Sequence, residues 1–121
     1  MKTKKELKKE YLRMKPVRGV FQIRNVANNH VFIGCSTDIN SLWNRQKFQL
    51  NFGSFPNKEF QKSWMETGED NFSFEIVSEL EYKNDEHPDS ILRELKELEI
   101  IVREEVLKNG GTIINLPKSF S

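Results

Sequence analysis

Hydrophobic and polar residues alternate along two neighbouring stretches near the start of the chain. Alternate positions of residues 17–23 are apolar or glycine, and the apolar run 31–33 follows the turn dipeptide Asn28-Asn29. A period of two is typical of a strand with one buried face, and asparagine favours tight turns. The two stretches therefore predict a β-hairpin.

Apolar residues recur at helical spacing after the hairpin. Asp38, together with Ser36 or Thr37, provides an N-terminal cap for a first helix. The predicted inward stripe of this helix consists of Ile39, Leu42, Trp43, Phe48 and Leu50. A loop containing glycine and proline at 52–57 leads to a second helix at 59–66, and Gly68 ends that helix.

The second half of the chain predicts one more strand and one long helix. Alternating apolar residues at 72–76 indicate a strand. The apolar residues of the third helix recur at steps of four, three, four and four: Ile91, Leu95, Leu98, Val102 and Val106. The turn at 109–111 ends it before a short strand at 112–116. The order β-β-α-α-β-α, with a short final strand, predicts an α+β fold in which a small sheet of about three strands is flanked by helices.

A basic segment precedes the predicted hairpin. Leu7, Tyr11 and Met14 lie at helical spacing among lysines, and Pro16 ends the pattern. We therefore expect a basic helical extension at residues 1–16 and one folded domain at 17–121, because a chain of 121 residues can bury one core.

The composition is that of a globular chain outside the membrane, with 36% hydrophobic and 31% charged residues. No apolar run approaches the roughly 20 residues that span a bilayer, and none follows the N-terminal lysines as a signal peptide requires. A cytoplasmic location is expected. The single cysteine, Cys35, cannot form an internal disulfide and is expected to be reduced and half-buried at a strand end, with a reactive thiol as the alternative.

Charge is unevenly distributed, although the net charge is only +1. Residues 1–18 contain eight basic residues and two acidic ones, whereas residues 66–105 contain fourteen acidic residues and four basic ones. A polyanion is therefore expected to bind the first half of the chain. Its expected contacts are Arg24, Arg45, Lys47 and Lys58. The alternative is that these charges are the solvated faces of amphipathic helices.

Three phenylalanines lie in or near the loop that carries this positive charge: Phe48, Phe52 and Phe55. Aromatic rings beside basic residues can stack on bases, so these three are expected to contact DNA. The other aromatic residues fall on strands or at helical packing positions and are expected in the core.

Two short motifs resemble those of the GIY-YIG nuclease superfamily. Gly19-Val20-Phe21 is followed, after ten residues, by Phe32-Ile33-Gly34, which is the spacing of the two triplets in that family's first hairpin. The hairpin sequence GVFQIRNVANNHVFIG is similar to the homing-endonuclease branch almost residue for residue. The resemblance covers residues 17–117 and implies the family fold for a domain at 17–121.

The resemblance implies hydrolysis of a DNA phosphodiester with one divalent metal ion, Mg²⁺ or Mn²⁺. The family uses two triplet tyrosines, an arginine on the first helix, often a histidine one turn later, and a metal-binding glutamate on the third helix. In this chain the tyrosine positions are Phe21 and Phe32, which have no hydroxyl. Leu42 occupies the arginine position, and Gln46 occupies the histidine position.

Two charged residues remain near the catalytic positions that the resemblance implies. Arg45 lies three residues after Leu42, about one turn on, and is expected to replace the phosphate-binding arginine. Glu99 matches the metal-binding glutamate in register, with Glu97 as the alternative, although a solvated surface charge explains Glu99 as well. Asn115 matches an asparagine near the family's site or caps a turn.

Three functions remain open at this stage. The first is a metal-dependent DNA endonuclease whose altered site uses Arg45 and Glu99. The second is a nucleic-acid-binding module that kept the fold and lost the chemistry, and the third is a protein-interaction domain that uses the acidic third helix. Family resemblance favours the first. Loss of the tyrosines and the arginine favours the second, because each such group contributes ~10² to 10⁴ in rate.

Overall fold

A computed structural model describes residues 15–115, so Leu7, Tyr11 and Met14, which predicted the helical extension at 1–16, lie outside the described residues. The described elements are β1 (Gly19–Asn25), β2 (His30–Ser36), α1 (Ile39–Phe52), α2 (Lys58–Thr67), β3 (Phe72–Glu79), α3 (Pro88–Lys108) and β4 (Thr112–Ile113). Their order confirms the predicted α+β fold with a small sheet flanked by helices. The domain boundaries at 17 and 121 stay predictions.

The sheet has the strand order β3-β1-β2-β4. The predicted hairpin is confirmed, since β1 pairs antiparallel with β2 from Gly19 opposite Ser36 to Asn25 opposite His30. Its turn depends on Asn29, which has a φ of 60° and donates its N–H to the Asn25 carbonyl at 2.8 Å. β3 pairs antiparallel with β1, and the short β4 runs parallel to β2. The sheet is therefore mixed, with β1 and β2 at its centre.

The two faces of the sheet carry separate hydrophobic clusters, because successive side chains of a strand point to opposite sides. On one face, Phe21 and Ile23 of β1 pack with α1 and α2. On the other, Val20 of β1 packs with Ile33 of β2 and Val102 of α3. The first and third helices therefore lie on opposite faces of the same sheet.

Both helices beside the first cluster begin at side-chain caps. Asp38 accepts a hydrogen bond from the Ser41 N–H at 3.2 Å, and Asn57 accepts one from the Phe60 N–H at 3.0 Å. α1 continues to Phe52, so the predicted loop starts one residue later than expected. No helix within residues 15–115 combines the length and the apolar character that crossing a membrane requires.

The prediction that Phe48 joins the inward stripe of α1 is wrong, since its side chain is 68% exposed. Leu50, assigned to the same stripe, is fully buried. Two residues that are two positions apart lie about 200° apart around a helix, so both cannot face the sheet. Leu50 faces the sheet, and Phe48 lies on the solvent side of the helix.

Arg18, counted with the basic N-terminal segment, is turned into the fold and is only 4% exposed. Its guanidinium donates to the carbonyls of Leu80 at 3.2 Å and Glu81 at 2.7 Å, and it forms an ion pair with Glu86. The same group lies 3.9 Å from the centre of the Tyr82 ring. Arg18 therefore joins the start of β1 to the loop before α3 and does not present its charge to a polyanion.

Candidate functional site

A cavity of about 520 Å³ opens between α1, β2 and the loop that precedes α2. It is lined by Phe32, Leu42, Arg45, Gln46, Gln49, Phe55, Pro56 and Asn57. Three of these, Phe32, Leu42 and Gln46, stand at the positions where the resemblance implies a tyrosine, the arginine and the histidine. The fold thus brings those positions together, and it places Arg45 beside them.

The helical repeat explains why α1 provides half of this lining. Leu42, Arg45, Gln46 and Gln49 follow one another at steps of three, one and three, which places them along one side of the helix. At the end of α1, Gly53 has a φ of 86°, a left-handed conformation that glycine adopts without steric cost. This turn leads the chain into the loop that forms the opposite wall.

The aromatic wall of the cavity is rigidly packed. The Phe32 ring meets the Phe55 ring edge to face, with centres 5.5 Å apart and planes at 66°, and lies 5.3 Å from the Phe60 ring. The Phe55 N–H donates to the Gln61 side-chain oxygen at 2.9 Å, which fixes the loop. Phe55 is buried, so it supplies an apolar wall and does not project into solvent as Phe48 and Phe52 do.

Phe21, the other triplet position, does not line the cavity. Its side chain is 1% exposed and packs against Phe74, with ring centres 5.9 Å apart. Gly34 makes room for it, because a Cβ added at Gly34 would lie 2.8 Å from the Phe21 ring. The triplet glycine and this phenylalanine are therefore partners in the core, and only Phe32 reaches the cavity.

Among the described residues that line the cavity, Arg45 is the only cationic one. Its side chain is exposed and makes no hydrogen bond or ion pair with any residue in the range 15–115. Gln46 has the opposite character, since its Oε1 is buried and has no hydrogen-bond partner within the described part of the chain. The cavity thus combines an available guanidinium with an unsatisfied amide.

Glu99 lies on the other face of the sheet and is not among the residues that line the cavity. Its side chain is 13% exposed; one carboxylate oxygen is 3.5 Å from Arg103 Nη2, and the other is 4.0 Å from Lys96 Nζ. Glu97, the alternative in register, is exposed on the same helix. The structure therefore separates Arg45 from Glu99, the two residues that the sequence suggested as one site.

Cys35 is partly buried near the end of β2, on the Glu99 side of the sheet. Burial raises the pKa of its thiol, and the neighbouring Glu99 carboxylate raises the pKa further. A thiol with a raised pKa is a poor nucleophile at neutral pH, so the alternative of a reactive cysteine receives no support.

Sequence reasoning missed Arg103, a largely buried cation beside Glu99. Its guanidinium donates to the Ile33 carbonyl at 3.1 Å and to the Asn115 carbonyl at 2.6 Å. The Asn115 side chain also bonds to Ile33, accepting from its N–H at 2.9 Å and donating to its carbonyl at 2.5 Å. Arg103 and Asn115 thus bond to the backbone of Ile33, at the part of β2 that lies beyond its pairing with β4. The sequence did contain one indication of this role. Arg103 directly follows the apolar position Val102 and lies one turn after Glu99, so it is at the border of the helix's apolar face.

The four basic residues expected to bind a polyanion do not share one surface. Arg24 lies on the α3 side of the sheet, in a depression that Val106 also lines, whereas Arg45 faces the cavity. Lys58 directly follows the cavity residue Asn57. Lys47 lies 2.7 Å from the Glu69 carboxylate, so part of its charge is neutralised.

The groups around Glu99 do not form a preassembled site for a divalent metal ion within the described residues. Mg²⁺ and Mn²⁺ bind oxygen ligands, usually with help from a second acidic group or from substrate phosphates. No group of three or more potential ligands of the His, Cys, Asp or Glu type occurs within residues 15–115. The one carboxylate at the matching position already faces two cations, Lys96 and Arg103.

Comparison with known proteins supports the fold and the hairpin motifs together. No family model matches the chain. The chain is 31% identical over 67 residues to intron-associated endonuclease 1 of Enterobacteria phage T4, a match that covers 55% of this chain and 27% of that protein's length. It also matches the catalytic domain of the homing endonuclease I-TevI with a TM-score of 0.50 and 30% identity, covering 67% of this chain and 87% of that domain. A variant of the same domain, in which one glutamate is alanine, matches with a TM-score of 0.50 and 29% identity over 68% of this chain and 84% of that one.

These matches, with the observed sheet and hairpin, define a nuclease-like domain. The chain belongs to the homing-endonuclease-like branch of the GIY-YIG superfamily. It spans about a quarter of the length of the phage endonuclease that it matches.

Proposed function

We propose that this protein binds DNA through the cavity side of α1 and lacks the hydrolytic chemistry of its nuclease relatives. One observation carries the proposal: the cavity at the family's catalytic positions is lined by Phe32, Leu42 and Gln46, while Arg45 beside them has no partner in residues 15–115. The relatives are endonucleases, so a nucleic acid is the ligand to expect.

Binding of a phosphate at Arg45 follows from the chemistry of the guanidinium. Its planar array of N–H donors suits phosphate oxygens, and its charge is not already neutralised. Lys58 lies in the first turn of α2, where the positive end of the helix also favours an anion. These two residues supply the contacts for the DNA backbone.

Several of the catalytic groups that the family mechanism requires are absent from the matching positions of this protein. Phe32 can neither accept nor donate a proton, and Leu42 cannot stabilise charge on a phosphorane. Glu99 lies across the sheet from the cavity and is paired with Arg103. Since each missing group contributes ~10² to 10⁴ in rate, the combined loss favours binding without cleavage.

Family membership favours a metal-dependent endonuclease as the second candidate function. In that case Arg45 would bind the scissile phosphate, and Glu99 would be required for use of Mg²⁺ or Mn²⁺. A protein-interaction role for α3 is favoured by a different observation, namely that its acidic surface also exposes Leu92, Ile100, Ile101 and Leu107.

DNA binding measured as a function of salt tests the proposal. We expect a labelled duplex to bind at about 50 mM NaCl and to lose affinity steeply towards about 200 mM, because bound phosphates release counterions. Arg45→Ala and Lys58→Ala should each weaken binding and reduce the salt slope by about one. Arg24→Ala, on the opposite face, is the matched control and should leave affinity unchanged. Absence of binding at low salt, or binding indifferent to salt, would overturn the proposal.

Plasmid nicking with Mg²⁺ or Mn²⁺ separates the binding module from the endonuclease. We expect the supercoiled plasmid to stay intact. Cleavage that disappears in both Arg45→Ala and Glu99→Gln would establish the endonuclease instead. Cleavage that continues at the wild-type rate in either variant would mean that the altered residue has no catalytic part.

A further inference from the structure

The cavity beside Arg45 is larger and less charged than a phosphate site requires. Its volume of about 520 Å³ lies within the range of pockets that bind small organic ligands, roughly 300 to 1,000 Å³. Besides the single guanidinium, its polar side chains are the amides of Gln46, Gln49 and Asn57, of which the Asn57 amide already caps α2. An amide offers both a donor and an acceptor, which is the pairing that the edges of nucleobases present.

The apolar part of the lining suits a flat ring. Phe32 and Phe55 stand edge to face, and Pro56 also lines the cavity. Bases stack on aromatic side chains with little regard to sequence, since every base has a π-face. Aromatic walls together with amides therefore match a base better than they match a sugar-phosphate backbone.

The side-chain oxygen of Gln46 is a more specific indication that the cavity binds a base. Its Oε1 is buried and lacks a hydrogen-bond partner in the described residues, although an unpaired buried oxygen is unfavourable. The residue lines the cavity, so the unpaired oxygen belongs to a side chain that a ligand in the cavity contacts. An N–H on the edge of a base would then satisfy it.

Two exposed rings extend the same side of α1. Phe48 and Phe52 stack on each other with centres 5.9 Å apart and planes at 9°, and they are 68% and 76% exposed. They follow Arg45 at steps of three and four, so they continue the stripe that begins at the cavity. The nucleotides on either side of a bound base can contact these rings.

We propose that the cavity binds one unpaired nucleobase while Arg45 holds the adjacent phosphate, so that the protein prefers DNA with unpaired nucleotides over perfect duplex. The inference rests on the proposed DNA-binding function. A base within a duplex is stacked and paired, so the free energy needed to extrude it weakens binding. A bulged base is unpaired and can enter the cavity at a lower cost.

A pair of labelled duplexes, identical except for one bulged nucleotide, tests this inference. The wild-type protein is expected to bind the bulged duplex roughly tenfold more tightly, an effect of the size of one base-stacking contact. Gln46→Leu keeps the side-chain volume and removes the amide, and we expect it to lower the preference below about threefold. Asn44→Leu makes a similar change on the exposed part of α1, outside the cavity lining, and should retain the full preference.

The outcomes separate this inference from the function on which it rests. Equal affinity for the two duplexes, with steep salt dependence, overturns the inference and leaves the DNA-binding proposal intact. A preference that Gln46→Leu does not reduce overturns the assignment to the cavity. No salt-dependent binding of either duplex overturns the proposed function itself. If Gln46→Leu lowers the melting temperature, Gln49→Leu provides the same test at a second lining position.

Discussion

Arg103 Nη2 lies 3.5 Å from Glu99 Oε1, one turn further along α3. Arg103 is in turn bonded to the carbonyls of Ile33 and Asn115, so the pair is part of the contact between α3 and the edge of β2. The glutamate that matches the family's metal ligand is thus engaged by a buried cation on the face away from the cavity.

Divalent metal ions should not stabilise the folded protein. A ligand that binds the native state raises the melting temperature, and the carboxylate of Glu99 is already paired with Lys96 and Arg103. We expect thermal melts with Mg²⁺ or Mn²⁺ to match those in NaCl of equal ionic strength. A metal-specific rise in melting temperature that Glu99→Gln abolishes would contradict this prediction.

Replacing Arg103 should destabilise the protein. Arg103→Met keeps the apolar stem but removes the donors to Ile33 and Asn115 and leaves the largely buried Glu99 with only the exposed Lys96 as a partner, at a cost of about 3 kcal/mol. Urea denaturation measures the change in the free energy of unfolding. The double variant Arg103→Met with Glu99→Met should recover part of the loss, because an apolar pair tolerates burial. A single variant as stable as the wild type would show that the network contributes little.

The Cys35 thiol should report the charge of Glu99. Its pKa is raised first by burial and then by the Glu99 carboxylate, so Glu99→Gln should lower the thiol pKa towards its ordinary value. Lys96 lowers the same pKa, so Lys96→Gln should raise it. Alkylation rates followed against pH give the thiol pKa in each variant. Identical pH profiles in wild type and Glu99→Gln would place the carboxylate too far away to act.

Acid should weaken the contact between Arg18 and Glu86. The hydrogen bond from Arg18 lowers the pKa of Glu86 below its ordinary value of 4.5, so the unfolded chain takes up a proton at higher pH than the folded protein. The contribution to stability is therefore complete above the ordinary value and disappears as the pH falls through the lowered pKa.

Denaturation of a matched pair of variants against pH tests this sign. Glu86→Gln should flatten the acid dependence of the unfolding free energy below about pH 4.5. Glu81 is a neighbouring exposed residue that contacts Arg18 through its backbone carbonyl and not through its side chain. Glu81→Gln should therefore behave as the wild type does. If the acid dependence is unchanged in Glu86→Gln, the ion pair between Arg18 and Glu86 does not contribute to it.

Much of the fold was readable from local features of the sequence. The alternation at 17–23 and the Asn28-Asn29 turn predicted the hairpin, and Asp38 and Gly68 predicted helix ends that the structure places there. These features act over a few residues, since a strand alternates every second position and a cap bonds within one turn. The order of elements followed from the same patterns, and the family motifs added the matched positions of Phe32, Leu42 and Gln46.

Only the tertiary structure decided which of these residues meet. The sequence identified the apolar stripes of α1 and α3, and both pack on the sheet, but periodicity does not say which face each helix covers. Placed on opposite faces, they separate Arg45 from Glu99, while Arg103 reaches the Ile33 carbonyl and Arg18 turns inward to reach Glu86. Contacts between residues dozens of positions apart depend on how elements pack, and packing is settled by the whole core at once, so no local pattern could specify them.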